Sequence, residues 1–405
     1  MNRVPRHLAR PSLYIAACLV SFACGSSSTP PVTGTGGTTG SGGSAAGGSG
    51  GGSGGEPGTG GAASGGSSGS GGTVAGTGGA ATGTGGATVG DGGGVDTTPG
   101  PDLAPPGLTG TQMDPGTMGD GTVDQPGPYM NAPETVARVA GALKGTVTAK
   151  TLYASKTAYP GMKFKYSIYV PAQYQAGKRA ALMVFQDARH YDETDTYKFN
   201  VAITFDNLIY KGDMPVTIAV MIDPGTPSGD YISGGSDNPT YRAPEYDRSN
   251  GTYARFLIDE FLTDVVLPKY DIVQDPDGWA VAGHSSGGSA AFAVAWNRTE
   301  KFHKVLTANG SFNLISDAFP GQVNSTTPAK PIRVYLNSGT MDMPGSGGMD
   351  WLAANNGMAA ALGTKKYHYR YQRGTGTHDP PVAALAAFPD SLRWLWRGYK
   401  LPWYP

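Results

Sequence analysis

From about Tyr129 onward the chain alternates short apolar runs with longer stretches of helical period. Residues 163–170 set Phe164, Tyr166, Ile168 and Val170 against Lys and Ser, the period-two alternation of a half-buried strand. Residues 180–185, 215–222 and 278–282 are short and apolar throughout, as strands buried on both faces should be. Residues 332–336 and 366–371 complete the strand set. Residues 200–210, 252–267, 287–296, 351–362 and 391–399 read as helices. In the second of these, Tyr253, Phe256, Leu257, Phe261 and Val265 recur at helical spacing as a core-facing stripe. Strands alternating with helices predict an α/β fold with a doubly wound, mostly parallel sheet and helices on both faces.

The pattern fails upstream. Of the 64 Gly in this 405-residue chain, 33 fall in residues 25–100, together with 24 Ser or Thr and only Glu56, Asp91 and Asp96 as charged side chains. Such a segment cannot bury enough apolar surface to offset the entropy of ordering it. A Pro-rich run extends the same character, so residues 25–125 read as a disordered tether and residues 126–405 as one domain. A flexible chain of about 100 residues reaches roughly 50 to 60 Å. Ahead of the tether, Arg3, Arg6 and Arg10 precede an apolar run from Leu13 to Ala23 that is too short to span a bilayer. Residues 1–24 therefore read as an export signal. Its end, Ser21-Phe22-Ala23-Cys24-Gly25, resembles a bacterial lipoprotein signal with Cys24 as the acylated residue, although Ser21 stands where Leu is usual. Cys18 fits the local pattern but leaves a shorter apolar core. An ordinary cleaved signal is the alternative, and either reading makes the protein exported, at a cell surface or outer membrane or secreted.

A formal net charge of -1 without a basic block gives no electrostatic reason to bind nucleic acid. Both cysteines precede the domain, which leaves it no thiol for a disulfide, a Cys-ligated metal or a Cys nucleophile. No cofactor and no metal are expected.

The sharpest chemical feature is Gly283-His284-Ser285-Ser286-Gly287, between an apolar strand and a small-residue helix. In that context the G-x-S-x-G spacing predicts a nucleophile elbow, whose glycines let strand and helix approach without Cβ clashes. Ser285 would be the nucleophile, with the Ser286 N–H and the helix dipole facing a developing oxyanion. A serine nucleophile needs a base. His284 would point away from the elbow, His368 lies in a strand, and His190 and His303 do not suit the Ser, acid, His order of such a fold. His378, in a run of small residues after the last strand, remains. Asp342, six residues past Leu336, best fits the orienting acid, and Asp350 competes with it across a flexible glycine run. The segment after the strand ending at Phe185 should supply a second oxyanion N–H, from Asp187 or Ala188. Tyr191, Tyr231, Tyr241 and Trp351 are candidates to line a sugar or aryl pocket.

These residues resemble the esterase D-like α/β hydrolases, which include enterochelin esterases, feruloyl esterases and acetyl xylan esterases of carbohydrate esterase family one. Beyond the elbow the resemblance rests on Tyr169-Val170-Pro171, Val184-Phe185-Gln186-Asp187, Asp206-Asn207-Leu208-Ile209, Met214-Pro215-Val216-Thr217, Arg242 with Glu245-Tyr246-Asp247, and Leu392-Arg393-Trp394-Leu395-Trp396. It implies the α/β-hydrolase fold, with Ser285 as nucleophile, Asp342 as acid and His378 as base. Ala188 and Thr377 stand where the family often has glycine. Arg242 and Glu245 to Asp247 read as a buried polar brace. The resemblance implies a serine esterase acting on acetyl or hydroxycinnamoyl esters of a polysaccharide, or on a siderophore ester. An acyltransferase, lipase or peptidase with the same triad, and a non-catalytic binding protein on the same scaffold, remain as rivals.

Overall fold

The computed structural model describes residues 110–191, 197, 199–230, 240–315, 319–343 and 350–404. The export signal, Cys24, the tether up to residue 109 and Tyr231 lie outside the described residues. The strands are β1 (Thr111–Gln112), β2 (Gly121–Gln125), β3 (Thr146–Val147), β4 (Thr151–Ala154), β5 (Lys163–Val170), β6 (Ala181–Gln186), β7 (Thr217–Ile222), β8 (Trp279–His284), β9 (Lys304–Ala308), β10 (Arg333–Met341), β11 (Tyr369–Thr377) and β12 (Tyr399–Lys400). The helices are α1 (Pro133–Val136), α2 (Val201–Tyr210), α3 (Arg242–Tyr246), α4 (Thr252–Arg255, continued in wider π-type turns over Phe256–Val266), α5 (Ser286–Asn297), α6 (Phe319–Ser325), α7 (Trp351–Thr364) and α8 (Val382–Trp396).

One ten-stranded sheet runs β2-β11-β10-β9-β8-β6-β7-β5-β3, with β4 also paired to β5. All neighbours from β2 to β7 are parallel, and β5 joins β7, β3 and β4 antiparallel. The expected doubly wound, mostly parallel sheet is therefore present, in the α/β-hydrolase arrangement. Strands β6, β7, β8 and β9 are buried along their whole length, which accounts for the apolar runs at the centres of β6, β7 and β8. Helix α5 packs on β8 and β9, α7 on β10, and α8 on β10 and β11. After β6 the chain first adds β7 on one side and then β8 on the other. This reversal opens a crevice beyond the carboxyl ends of β6 and β8, where ligands of such sheets bind.

Several boundaries differ from the sequence expectation. Strands β1 and β2 fall inside the segment read as tether, so the fold begins well before residue 126. Val123 offers β2 a single apolar side chain, and the strand is held by parallel pairing with β11 and by the Arg373–Asp124 ion pair at 2.7 Å. Strand β9 was not anticipated, because Lys304 opens it and is nonetheless buried. Strand β11 starts at Tyr369 and carries through the small-residue run read as a loop. Its glycines serve close approach: a Cβ on Gly339 of β10 would lie 1.9 Å from the Gly376 carbonyl oxygen, and one on Gly374 would lie 2.4 Å from Ala383 Cβ. Helix α8 begins at Val382 rather than at Ser391, and its interior Pro389 hides the first turns from a propensity reading.

Candidate active site

Strand β8 ends at His284 and α5 begins at Ser286, which leaves Ser285 alone on the turn with φ 59° and ψ -130°. A positive φ on a residue with a side chain costs about 1 to 3 kcal/mol and persists only where the surroundings enforce it. Here the Ser285 N–H donates to the Ala308 carbonyl at 2.9 Å, and its own carbonyl accepts from the Ser311 N–H at 3.1 Å. Both elbow glycines are sterically required. A Cβ on Gly283 would lie 2.1 Å from the Gly287 carbonyl oxygen, and one on Gly287 would lie 2.7 Å from Asp187 Oδ2.

The turn aims Ser285 Oγ at His378, the residue after β11, with Oγ 2.9 Å from Nε2. On the other side of the ring, Nδ1 stands 2.6 Å from Asp342 Oδ1. Asp342 directly follows β10, and its second oxygen accepts from Ser338 Oγ at 3.1 Å. All three side chains are buried, Asp342 completely. A carboxylate only accepts, so Nδ1 carries the ring proton and Nε2 offers its lone pair to the serine hydroxyl. Asp350 is elsewhere occupied: it caps α7, accepting the Ala353 N–H at 2.8 Å.

Two residues at this centre escaped sequence reasoning. Ser311 Oγ lies 3.2 Å from Ser285 Oγ and accepts the Trp351 indole N–H at 2.8 Å. The Trp351 ring also meets His378 edge to face, with centroids 5.7 Å apart. The second is His284, which does not turn away as expected. Its Nε2 lies 3.2 Å from the His378 carbonyl oxygen, and the two rings are 5.0 Å apart. Burial, then the neighbouring His378 and His190, push His284 well below the usual histidine range, so it is neutral and donates to that carbonyl. His190 joins the same cluster, stacked on Tyr197 at 4.2 Å, and burial pushes it down to about 4. The other two histidines among the described residues pair with acids away from the site, His303 with Asp277 and His368 with Asp120.

The corner after β6 abuts the elbow. Asp187 takes a left-handed φ of 62°, and its buried carboxylate receives Arg242 Nε at 3.0 Å and Nη2 at 2.7 Å. Burial alone would raise this carboxyl, but the Arg242 guanidinium outweighs it and holds it below the usual range. Arg242 also covers the Tyr246 ring at 5.2 Å, and Glu245 accepts the Gly225 N–H at 3.0 Å. The brace read from the sequence is thus a fixed support for the corner carrying Asp187 and the buried Ala188, facing the Ser286 end of α5. Of the aromatic candidates, Trp351 lies at the site and Tyr241 is half-buried beside α3. Tyr191 is instead core, fully buried between Phe185 and Phe199.

Among the described residues, His284, His378 and Asp379 form one set whose ligand atoms lie within 4.8 Å of one another. Both His378 nitrogens are engaged by Ser285 and Asp342, so a metal there would displace that chain.

The fold is shared with solved esterases. The enterobactin esterase of Shigella flexneri, in the presence of 2,3-di-hydroxy-N-benzoyl-glycine, is 19% identical, with 66% of this chain and 62% of that chain covered and a TM-score of 0.50. A ferulic acid esterase of Anaeromyces mucronatus in complex with ferulic acid is 16% identical, with 66% and 96% covered and a TM-score of 0.51. This chain thus spans about six tenths of the Shigella enzyme's length, 62%. No curated protein sequence matches it. Residues 157–380, more than half of the chain, match the family model described as "Putative esterase". The chain belongs to this esterase family, and its fold is that of the α/β hydrolases.

Proposed function

We propose that the protein is an exported serine esterase in which Ser285, His378 and Asp342 work as a catalytic triad. The observation that carries this reading is the unbroken chain Ser285 Oγ, His378 Nε2, His378 Nδ1, Asp342 Oδ1, with links of 2.9 and 2.6 Å, at a strained elbow. Ser285 Oγ attacks the ester carbonyl while His378 Nε2 takes its proton. The negative oxygen of the tetrahedral intermediate is stabilised by the Ser286 N–H at the positive end of α5, with a second N–H from Asp187 or Ala188. Collapse expels the alcohol, which receives the proton from His378. Water, deprotonated by the same imidazole, then releases the acid and restores Ser285. Asp342 holds the tautomer and stabilises the imidazolium.

The substrate we propose is an acetyl or hydroxycinnamoyl ester on a polysaccharide, or a siderophore ester. The family resemblance and the aromatic edge that Trp351 presents beside His378 favour this class. The Arg-flanked apolar start favours export, Cys24 favours lipid anchoring, and the glycine-rich stretch favours a tether between anchor and enzyme. The test is hydrolysis of p-nitrophenyl acetate and methyl ferulate by the full chain and by Ser285→Ala. Loss of at least about a thousandfold in kcat is expected in the variant. The acetyl-to-feruloyl ratio then ranks the acyl groups, and equal rates in both proteins would remove the triad reading.

A further inference from the structure

Strand β11 ends at Thr377, so His378 is the first residue beyond it, and α8 does not begin until Val382. Pro380 and Pro381, which lie between, have no N–H and offer this segment no backbone donor. It is held instead by side chains from three other parts of the fold. Asn309, in the turn after β9, donates Nδ2 to the Thr377 carbonyl at 3.3 Å. His284, the last residue of β8, donates Nε2 to the His378 carbonyl at 3.2 Å. Tyr197, between β6 and α2, donates its hydroxyl to Asp379 Oδ1 at 2.5 Å. Three successive residues thus each accept a bond from a different element.

The donors are themselves fixed. His284 is buried, and the His190 and Tyr197 rings meet its ring edge to face at 5.7 and 5.4 Å. Tyr197 stacks on His190 with the two planes 8° apart. His190 Nε2 accepts from Arg189 Nε at 3.1 Å, and the Arg189 N–H donates to Asp223 Oδ1 at 3.2 Å, so the stack is anchored to residues that follow β6 and β7. Burial keeps His284 neutral, with one N–H for the carbonyl. A second cation is thereby kept away from the His378 ring, 5.0 Å off, as that ring takes up a proton.

On the basis of the proposed triad, we infer that His284 and Tyr197 are positioning residues, which clamp the segment carrying His378 so that Nε2 stays aimed at Ser285 Oγ. His284 and Ser285 are neighbours in the chain. One supplies the attacking oxygen and the other holds the backbone of the base, so the 2.9 Å link from Ser285 Oγ to His378 Nε2 is set across a single peptide unit. A shift at the end of β8 then carries nucleophile and base together. Tyr197 fixes the following residue and stops the segment swinging about the His284 bond. Such precision matters because a misplacement of about 1 Å costs about a hundredfold in rate.

The test is steady-state hydrolysis of p-nitrophenyl acetate by the full chain and by His284→Met, His284→Gln, Tyr197→Phe and Ser285→Ala. His284→Met fills the space without a donor, and kcat is expected to fall about 30-fold with KM within about twofold of wild type. The Gln amide can donate from about where imidazole Nε2 lies, so His284→Gln should recover kcat to within about threefold of wild type. Tyr197→Phe keeps the stack on His190 and loses only the hydroxyl, which should lower kcat about fivefold. Labelling by diisopropyl fluorophosphate, which needs the same base, should slow by the same factors. A wild-type kcat in His284→Met or in Tyr197→Phe overturns the clamp, and so do equal losses in His284→Met and His284→Gln. Should His284→Met fail to fold, Tyr197→Phe decides alone. Any of these results with hydrolysis abolished in Ser285→Ala faults the clamp only, whereas hydrolysis that survives in Ser285→Ala faults the triad beneath it.

Discussion

Ser311 Oγ sits 3.2 Å from Ser285 Oγ and accepts the Trp351 indole N–H at 2.8 Å on one of its two lone pairs. An indole N–H only donates, and the Ser285 proton points at the His378 Nε2 lone pair, so between the two serines it is the Ser311 hydroxyl that donates and Ser285 Oγ, the proposed nucleophile, that accepts. The network therefore has one direction, from Trp351 through the two serines to the imidazole. In the proposed mechanism Ser311 holds the attacking oxygen in line, as a positioning residue. Ser311→Ala is expected to lower kcat about tenfold, the worth of one well-made hydrogen bond, with KM little changed. Steady-state kinetics on p-nitrophenyl acetate check this, and an unchanged kcat contradicts it.

The two carboxylates that sequence spacing could not separate should give opposite phenotypes. Asp342→Asn keeps the shape but favours the wrong tautomer, and kcat should fall about ten-thousandfold with stability largely retained. Asp350→Ala removes the α7 cap, costing about 1 kcal/mol in urea unfolding while kcat stays at the wild-type level. The reverse pattern would make Asp350 the acid.

Burial pushes His190 down to about 4 and His284 well below the usual range. The unfolded chain takes up protons on both near pH 6.5, and the folded chain refuses them until lower pH. Their contribution to stability is therefore complete above about 6.5 and is lost as pH falls toward about 4, by up to about 1.4 kcal/mol per pH unit for each ring. Asp223, raised to about 6 by burial and by Asp187, acts in the opposite sense, so the comparison needs a variant. Urea unfolding between pH 7 and 5 should show a shallower acid loss in His190→Gln/His284→Gln than in wild type. Parallel curves would mean that neither ring is held neutral by the fold.

What the sequence made legible was local. The elbow combines an apolar strand, two glycines at fixed spacing and a small-residue helix, and each part constrains its neighbours within a few residues. Asp342 and His378 were reachable because they follow strands, where such folds carry their chemistry. Ser311 was hidden because β9 was hidden: a lysine opens that strand, and partners distant in sequence, the Gln112 side chain, the Asp277 carbonyl and the Trp396 and Tyr399 rings, make its burial tolerable. The Asn309-Gly310 turn after Ala308, with φ 49° at Asn309, was the available sign that a strand ended there. Neither the direction of His284 nor the pairing of β2 with β11 could be read. Both depend on partners about 90 and 250 residues away in sequence, for which local period carries no information.

The central claim, that Ser285 is the nucleophile, is tested most directly by covalent trapping. The full chain is treated with diisopropyl fluorophosphate, and its intact mass and peptide map are compared with those of Ser285→Ala. The expected result is one phosphoryl adduct on the peptide carrying Ser285, complete loss of esterase activity in step with labelling, and no adduct in the variant. An adduct on another residue, or ester hydrolysis that survives in Ser285→Ala, would contradict the account.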